Sequence, residues 1–586
     1  MIEQLAILIP QITLLIVILF IIAMVLFGWG LIALRLMGIN RPAHPDTITV
    51  WLGFGIVLGI LEFLQLFLPL DWKVSIGVLL IGMLGRIKSQ LWLHSIKDVI
   101  QKFISRPLIG FVVFIIMLIW CLRAMGVVNN YDSGLYHFQT IRWLNEYQLV
   151  PGLGNLHWRL AFNQSYFNFL AVLNFYPYWN KGYAVGGLFL LFLSVCTVCE
   201  ISLRQSKMWK YVFGIGLFIY FGYVASGVAN PAPDGIIGLI QLTIFLLLFQ
   251  ILSLDKNNIK KASDQLSREI ATVLALCFST VTIKLTGALF AVTCVLIMAW
   301  VCRHVFLQKP LRWLTLTAVL TIFGLIHLGR GLLLSGFPLF PSTIFGITEF
   351  PWSMPKEFVK FEADLIMSWA RMPGLLDPTW ALSSWQWVPV WFKAMPMSTA
   401  YLLVFIIVIA PLTSIYLILG KIQGLSIKYL FLYLPIFATL TFWFLTAPDI
   451  RFLGSILVLG VLLTIWIWAQ IFHFYQPALI NSVLSHKNLR MAVVIAGALL
   501  SMKLTGLNSL GFLGWAEVPS RQVEIKKTIS GFAVQIPVVG EQCWGEVLPC
   551  ASIFNENLAK QNYSFYGLIG RSLLNNYYFT IKDYYH

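Results

Sequence analysis

Long unbroken apolar runs constrain this chain more than any other feature. A helix needs roughly 20 residues to cross a bilayer, and about fourteen stretches of that order follow one another along the chain. They centre near Phe20, Gly59, Leu79, Ile115, Leu190, Phe218, Ile240, Leu276, Thr293, Ile322, Phe405, Leu434, Val458 and Ala496. Composition agrees: 59% of residues are hydrophobic and only 11% charged, where a soluble domain carries about 25%. Lipid offers no hydrogen bonds to an open backbone, so runs of this kind read as helices. The sequence therefore predicts an all-α polytopic membrane protein with about fourteen transmembrane helices. The run near Leu79 is short, and those near Leu276 and Thr293 are one run interrupted at Lys284. The first run, from about Ile9 to Met37, is too long for a cleaved signal peptide and has no basic stretch before it, so it reads as a retained span.

Lysine and arginine side the loops. One alternating set is basic: Arg35 and Arg41; Arg86, Lys88, Lys97, Lys102 and Arg106; Arg204, Lys207 and Lys210; Lys256, Lys260, Lys261 and Arg268; Arg303, Lys309 and Arg312; Lys421 and Lys428; Lys487 and Arg490. The other short loops are nearly devoid of both residues, which places the basic set in the cytoplasm. The expected location is the inner (plasma) membrane. The net charge of +16 is then topogenic and lipid-attracting; without a long Lys/Arg tract it does not indicate a nucleic-acid partner. The same siding puts Asp132, His137, Asp234, Lys284, Arg330, Asp449 and Arg451 together on the extracytoplasmic face. Three long segments join them there: 126–181, 334–398 and 517–586. This divides the chain into N-terminal helices (1–106), a core (107–516) and a C-terminal appendage (517–586). Ionisable groups collected at one membrane face suggest an extracytoplasmic active site.

Each constellation has a plain structural reading beside the chemical one. Asp132, in Asn129-Asn130-Tyr131-Asp132-Ser133-Gly134-Leu135-Tyr136-His137, could cap the helix that follows, or serve as a general base at a cavity mouth. That helix carries an apolar face of Leu135, Phe138, Ile141, Trp143 and Leu144 and is expected to lie along the membrane. The turn-rich run from Pro151 to Arg159 suits a sugar or an ordinary ordered loop. Asp234, after Asn230-Pro231-Ala232-Pro233, marks a helix start and a second acid that could position an acceptor or a divalent metal. Lys284 needs a partner among apolar spans: a carboxylate, the interface, or an anionic ligand. Arg330 and Arg451 offer forks that match phosphate oxygens; Arg451 could instead pair with Asp449. The tryptophans Trp352, Trp369, Trp380, Trp385, Trp387 and Trp391 read first as an interfacial belt and second as a sugar-binding wall. Cys543 and Cys550, with Gly and Pro between them in an exported segment, fit a small disulfide loop on a partly β appendage.

Together, Tyr131-Asp132-Ser133-Gly134 and the helix behind it, Pro233-Asp234 at a span start, Lys284-Leu285-Thr286-Gly287, and Arg451-Phe452 at a late span start resemble the C-type superfamily of integral membrane glycosyltransferases (GT-C). The resemblance covers roughly residues 107–469. Two departures accompany it: four predicted spans precede the Asp-bearing loop where the superfamily usually has one, and that loop shows no clear second acid beside Asp132. The resemblance implies a sugar moved from a polyprenyl-phosphate donor to a glycan, lipid or protein acceptor, with inversion. Asp132 would be the general base, with Asp234 or His137 orienting the acceptor and Arg330, Arg451 and Lys284 holding the donor phosphate. No cofactor is implied with certainty, and a divalent metal is possible. The rival expectation, a transporter or flippase of lipid-linked saccharides, calls for charges at mid-membrane between repeated halves.

Overall fold

A computed structural model describes residues 2–42, 46–87, 107–255, 259, 263–374, 378–420, 426–477, 487–506, 514–562 and 577–581. Lys88, Lys97, Lys102, Arg106, Lys256, Lys260, Lys261 and Lys421 of the predicted basic set lie outside them. The protein is an all-α polytopic membrane protein. Among the described residues ten helices are long and apolar enough to cross a bilayer, the first being Ala6–Leu36 and the last Ile456–Tyr475. Four shorter apolar helices, Trp72–Gly85, Phe114–Ala124, Leu285–Val301 and Ile495–Thr505, fall at the remaining predicted centres.

Helix starts follow local chemistry. Asp46 accepts from the Thr49 N–H at 2.8 Å, and Asp71 accepts from Lys73 N–H at 2.9 Å, so both cap the helices that follow. Close helix packing rests on glycine where backbones meet: a Cβ at Gly53 would lie 1.8 Å from the Leu26 carbonyl oxygen. The best-buried span is Asp234–Leu252, whose only acid stands in its first turn. The Gly182–Arg204, Asp264–Ile283 and Ile456–Tyr475 helices pack around it.

Charge segregates to the two ends of this bundle. At one end Arg312 pairs with Asp264 at 2.8 Å, Arg268 lies 3.8 Å from Asp46, and Arg204 lies 3.8 Å from Glu269. The spans Asp264–Ile283 and Gly182–Arg204 run from there to the other end, which carries Lys284, Asp234 and Asp132. The basic loops and the ionisable cluster separated by sequence are thus separated in space.

The loops stack over that second end. The predicted surface helix begins as a π-helical turn, Ser133–His137, and continues as Phe138–Glu146. It is buried on more than its apolar face: Gln139 meets the C-terminal appendage, and Asn145 donates to the Leu70 and Ala171 carbonyls at 2.7 and 2.9 Å. The appendage holds two antiparallel ladders, Val523–Lys527 with Ala533–Pro537 and Leu558–Asn562 with Tyr577–Ile581. The expected Cys543–Cys550 disulfide is present. Its loop grips the π-helical segment: Trp544 N–H donates to the Gly134 carbonyl at 2.8 Å, and Gln139 donates to the Trp544 and Glu546 carbonyls at 3.0 and 2.9 Å.

Candidate active site

Two distant turns are stapled together by one asparagine. The Asn230 side-chain carbonyl accepts from the backbone N–H groups of Asn129 and Asn130 at 2.9 and 3.1 Å, and its amide donates to Asn129 Oδ1 at 3.0 Å. Asn230 opens the turn that ends at Asp234. The staple therefore brings the Asp132 turn and the Asp234 helix start to one place.

Asp132 is not a helix cap. It lies in helical backbone with no side-chain capping bond; the Ser133 N–H is taken instead by Asn130 Oδ1 at 3.2 Å. Its carboxylate is gripped on both oxygens: Arg159 donates to Oδ1 at 3.0 Å and Arg451 to Oδ2 at 3.1 Å. Burial acts to raise this carboxyl, but His137, Arg159, Arg451 and Lys284 outweigh it and hold it below the ordinary aspartate value. His137 is itself neutral at neutral pH, since burial pushes it down to about 4, so the guanidinium groups carry the effect there.

The other predicted residues fall as follows. Lys284 pairs with Asp234, and its ammonium sits 4.1 Å from the centroid of the Phe452 ring. Arg451 also pairs with Asp449 at 2.8 Å, which is the structural reading of these two residues. His137 is buried beside Ser133, its Nδ1 3.4 Å from the hydroxyl. Asp132, His137, Asp234, Lys284, Asp449 and Arg451 all line one cavity of about 1000 Å³. The rest of its wall is largely apolar, with Val281, Leu339, Ile344, Leu365, Ile366 and Phe442. Of the six loop tryptophans only Trp369 lines it; Trp387 and Trp391 pack against Phe444 instead, which favours the structural reading.

Arg330 is not brought to this wall. It is 3% exposed, and its guanidinium donates to Gln65 Oε1, to Asn163 Oδ1 at 3.2 Å and to the Glu62 carbonyl at 3.3 Å. A cation inside a span must find partners, and the neighbouring Thr47–Gln65 helix supplies them. His327, one turn earlier, meets the fully buried Glu62 at 2.8 Å.

The model of a domain of unknown function, DUF8201, matches residues 12–458. The chain belongs to that family. No curated protein matches it, and no solved structure does. The DUF8201 region contains Asp132, Arg159, Asp234, Lys284, Asp449 and Arg451; the appendage, which adds Glu541 and Ser552 to the cavity wall, lies beyond it.

Three cavity residues were given no individual role by sequence, although two of them lie in the turn-rich run from Pro151 to Arg159 read as suiting a sugar. Arg159, in the turn-rich loop, bridges Asp132 and Glu362, its Nε lying 3.5 Å from Glu362 Oε1. His157 caps the Trp158–Ala161 turn by accepting from Arg159 N–H at 3.1 Å. That bond puts its own proton on Nε2, and burial, with Arg159, pushes it down to about 3. Glu362, 2% exposed on the Lys356–Arg371 helix, is the third. Among the described residues no group of three or more His, Cys, Asp or Glu is set to hold a metal ion.

Proposed function

We propose that this protein is an integral membrane glycosyltransferase that moves a sugar from a polyprenyl-phosphate donor to an acceptor, with inversion, on the extracytoplasmic side of the plasma membrane. The observation that carries the reading is the convergence of Asp132, Asp234, Lys284 and Arg451, from four separate parts of the chain, on one cavity at one end of the bundle. The cavity combines a group of ion-paired side chains with a largely apolar wall, which suits a ligand that is phosphate and sugar at one end and isoprenoid at the other. Lys284 and Arg451 are placed to hold the donor phosphate. As the bond from the anomeric carbon to the phosphate oxygen breaks, its electron pair stays on the phosphate, and these cations stabilise the added charge. The acceptor, a glycan, lipid or protein hydroxyl, must lose a proton to a carboxylate of the cavity. Asp132 is the sequence-based choice for that base; its two guanidinium bonds suit it better to holding Arg159 and Arg451 in register. A flippase would carry its charges midway through the bundle, whereas these gather at one end.

The test incubates membranes containing the protein with polyprenyl-phosphate glucose, galactose, mannose and N-acetylglucosamine and follows release of polyprenyl phosphate. Wild type releases it from at least one donor, and Arg451→Met with Lys284→Met lowers kcat/KM by about 100-fold or more, the scale for losing oxyanion stabilisation. Unchanged turnover in that double variant would sink the reading.

A further inference from the structure

Two carboxyl groups in the cavity share one arginine, and they are not equivalent. Arg159 reaches Asp132 with NH1 at 3.0 Å and Glu362 with Nε at 3.5 Å. Asp132 accepts a guanidinium hydrogen bond on each oxygen. A proton arriving there must displace one of them. Glu362 differs. Its buried Oε1 accepts no formed hydrogen bond among the described residues and faces Arg159 Nε at 3.5 Å, and the Glu362 side chain lines the same cavity. A proton arriving on this carboxylate removes a buried charge and weakens one long ion pair, where at Asp132 it would displace a formed guanidinium hydrogen bond.

We infer that Glu362, rather than Asp132, is the catalytic residue that takes the acceptor's proton, with Arg159 as the positioning residue that holds the two carboxyl groups apart in charge state. This rests on the glycosyl-transfer reading. The step balances: the acceptor O–H proton passes to the Glu362 carboxylate, and the freed electron pair forms the bond to the anomeric carbon. The carbon–oxygen bond to phosphate breaks on the opposite face, and the phosphate leaves with one more negative charge. Glu362 starts ionised and ends neutral, so its charge is handed to the leaving group, next to Lys284 and Arg451.

Electrostatics agree with the geometry. Burial is the largest influence on Glu362 and pushes it up to about 7; Arg159 and the neighbouring Trp158 indole N–H act to lower it, and Asp132 to raise it. The charged groups facing it are Arg159 and Asp132, with Lys360 and Asp364 on its own helix. The remaining surroundings are apolar: Val359, one turn back, packs with Ala161, Phe337, Phe340 and Met354. A base is most effective when its pKa lies near the working pH. Asp132, held below the ordinary range, is a much weaker proton acceptor at neutral pH.

The experiment measures release of polyprenyl phosphate from the four lipid-linked sugars named above, between pH 5 and 9, for wild type, Glu362→Gln, Glu362→Asp and Glu362→Gly. Wild-type kcat should rise with pH through about 7. Glu362→Gln should lose about 100-fold or more in kcat with little change in donor KM, and should lose that rise. Glu362→Asp should keep part of the rate with its pH limb displaced, and added formate should restore part of the Glu362→Gly rate, which a purely structural role would not allow. Wild type that transfers, with Glu362→Gln equally active and its limb unmoved, overturns the Glu362 assignment alone. Wild type inert on all four donors overturns the transfer reading and this inference with it.

Discussion

Replacing Glu362 by glutamine should change the pH dependence of stability, whatever reaction the cavity performs. The side chain is almost fully buried, and its carboxyl is raised from 4.5 to about 7, chiefly by burial. A group raised in the folded state is bound to its proton more tightly there than in the unfolded chain. Its contribution is therefore fully present below pH 4.5 and is lost as the pH climbs through about 7. That interval spans 2.5 pH units, each worth about 1.4 kcal/mol, so the wild type should lose roughly 3.5 kcal/mol against the neutral variant and stay there at higher pH. The assay is reversible unfolding in mixed detergent at pH 4.5, 5.5, 6.5 and 7.5, read by tryptophan fluorescence. The two proteins should be similar at the lowest pH and diverge as the pH rises, the variant becoming the more stable. If the Arg159 contact outweighed burial, the sign would reverse and the wild type would gain on the variant instead. Parallel curves, or curves diverging in that opposite sense, would refute the account of Glu362 as a buried and poorly solvated acid.

Two further outcomes follow from the packing. Gly134→Ala places a Cβ 2.4 Å from the Trp544 ring, so it should cost about 1–3 kcal/mol and loosen the Cys543–Cys550 loop from the Asp132 turn; a membrane-impermeant reductant should then open that disulfide faster than in wild type, and equal rates would count against the clamp. Arg330→Met should lower stability by about 3 kcal/mol, the scale for leaving buried polar partners unpaired, while donor KM stays near the wild-type value because the Arg330 guanidinium is taken up by Gln65, Asn163 and Glu62 and does not itself line the cavity; a large rise in KM would restore it to the phosphate site.

How much of this was legible in the sequence depended on whether a signal was local. Span positions were readable because a run of apolar side chains is its own evidence, and all fourteen centres fall on apolar helices. The grouping of Asp132, Asp234, Lys284 and Arg451 was readable through Lys/Arg siding, which is an ordering along the chain. Siding fixes which end a residue occupies, not its depth or partners, and so it grouped Arg330 with residues that line the cavity although its own helix turns it toward Gln65. Glu62, a lone acid within an apolar run, carried a signal that intramembrane charge alone could have raised. Glu362 carried none. On an amphipathic loop helix with Glu357 and Asp364 nearby, nothing local separates the one acid that faces inward toward Arg159.

The pairing pattern has a consequence for how an anion could enter. Three cations at the cavity already hold carboxylates: Lys284 with Asp234, Arg159 with Asp132 and Glu362, and Arg451 with Asp132 and Asp449. On the glycosyl-transfer reading a phosphate must draw Lys284 and Arg451 from those partners, and a carboxylate stranded in a low-dielectric site would cost several kcal/mol. The arrangement limits that cost. If Arg451 turns to the phosphate, Asp132 keeps Arg159. If Lys284 turns, Asp234 keeps its place in the first turn of the Asp234–Leu252 helix, where the helix dipole favours a negative charge. Asp132 therefore acts as a carboxylate shared between two arginines, so that one can be lent to a ligand while the other remains. That role depends on Asp132 staying ionised throughout, which is why the proton is better received by Glu362.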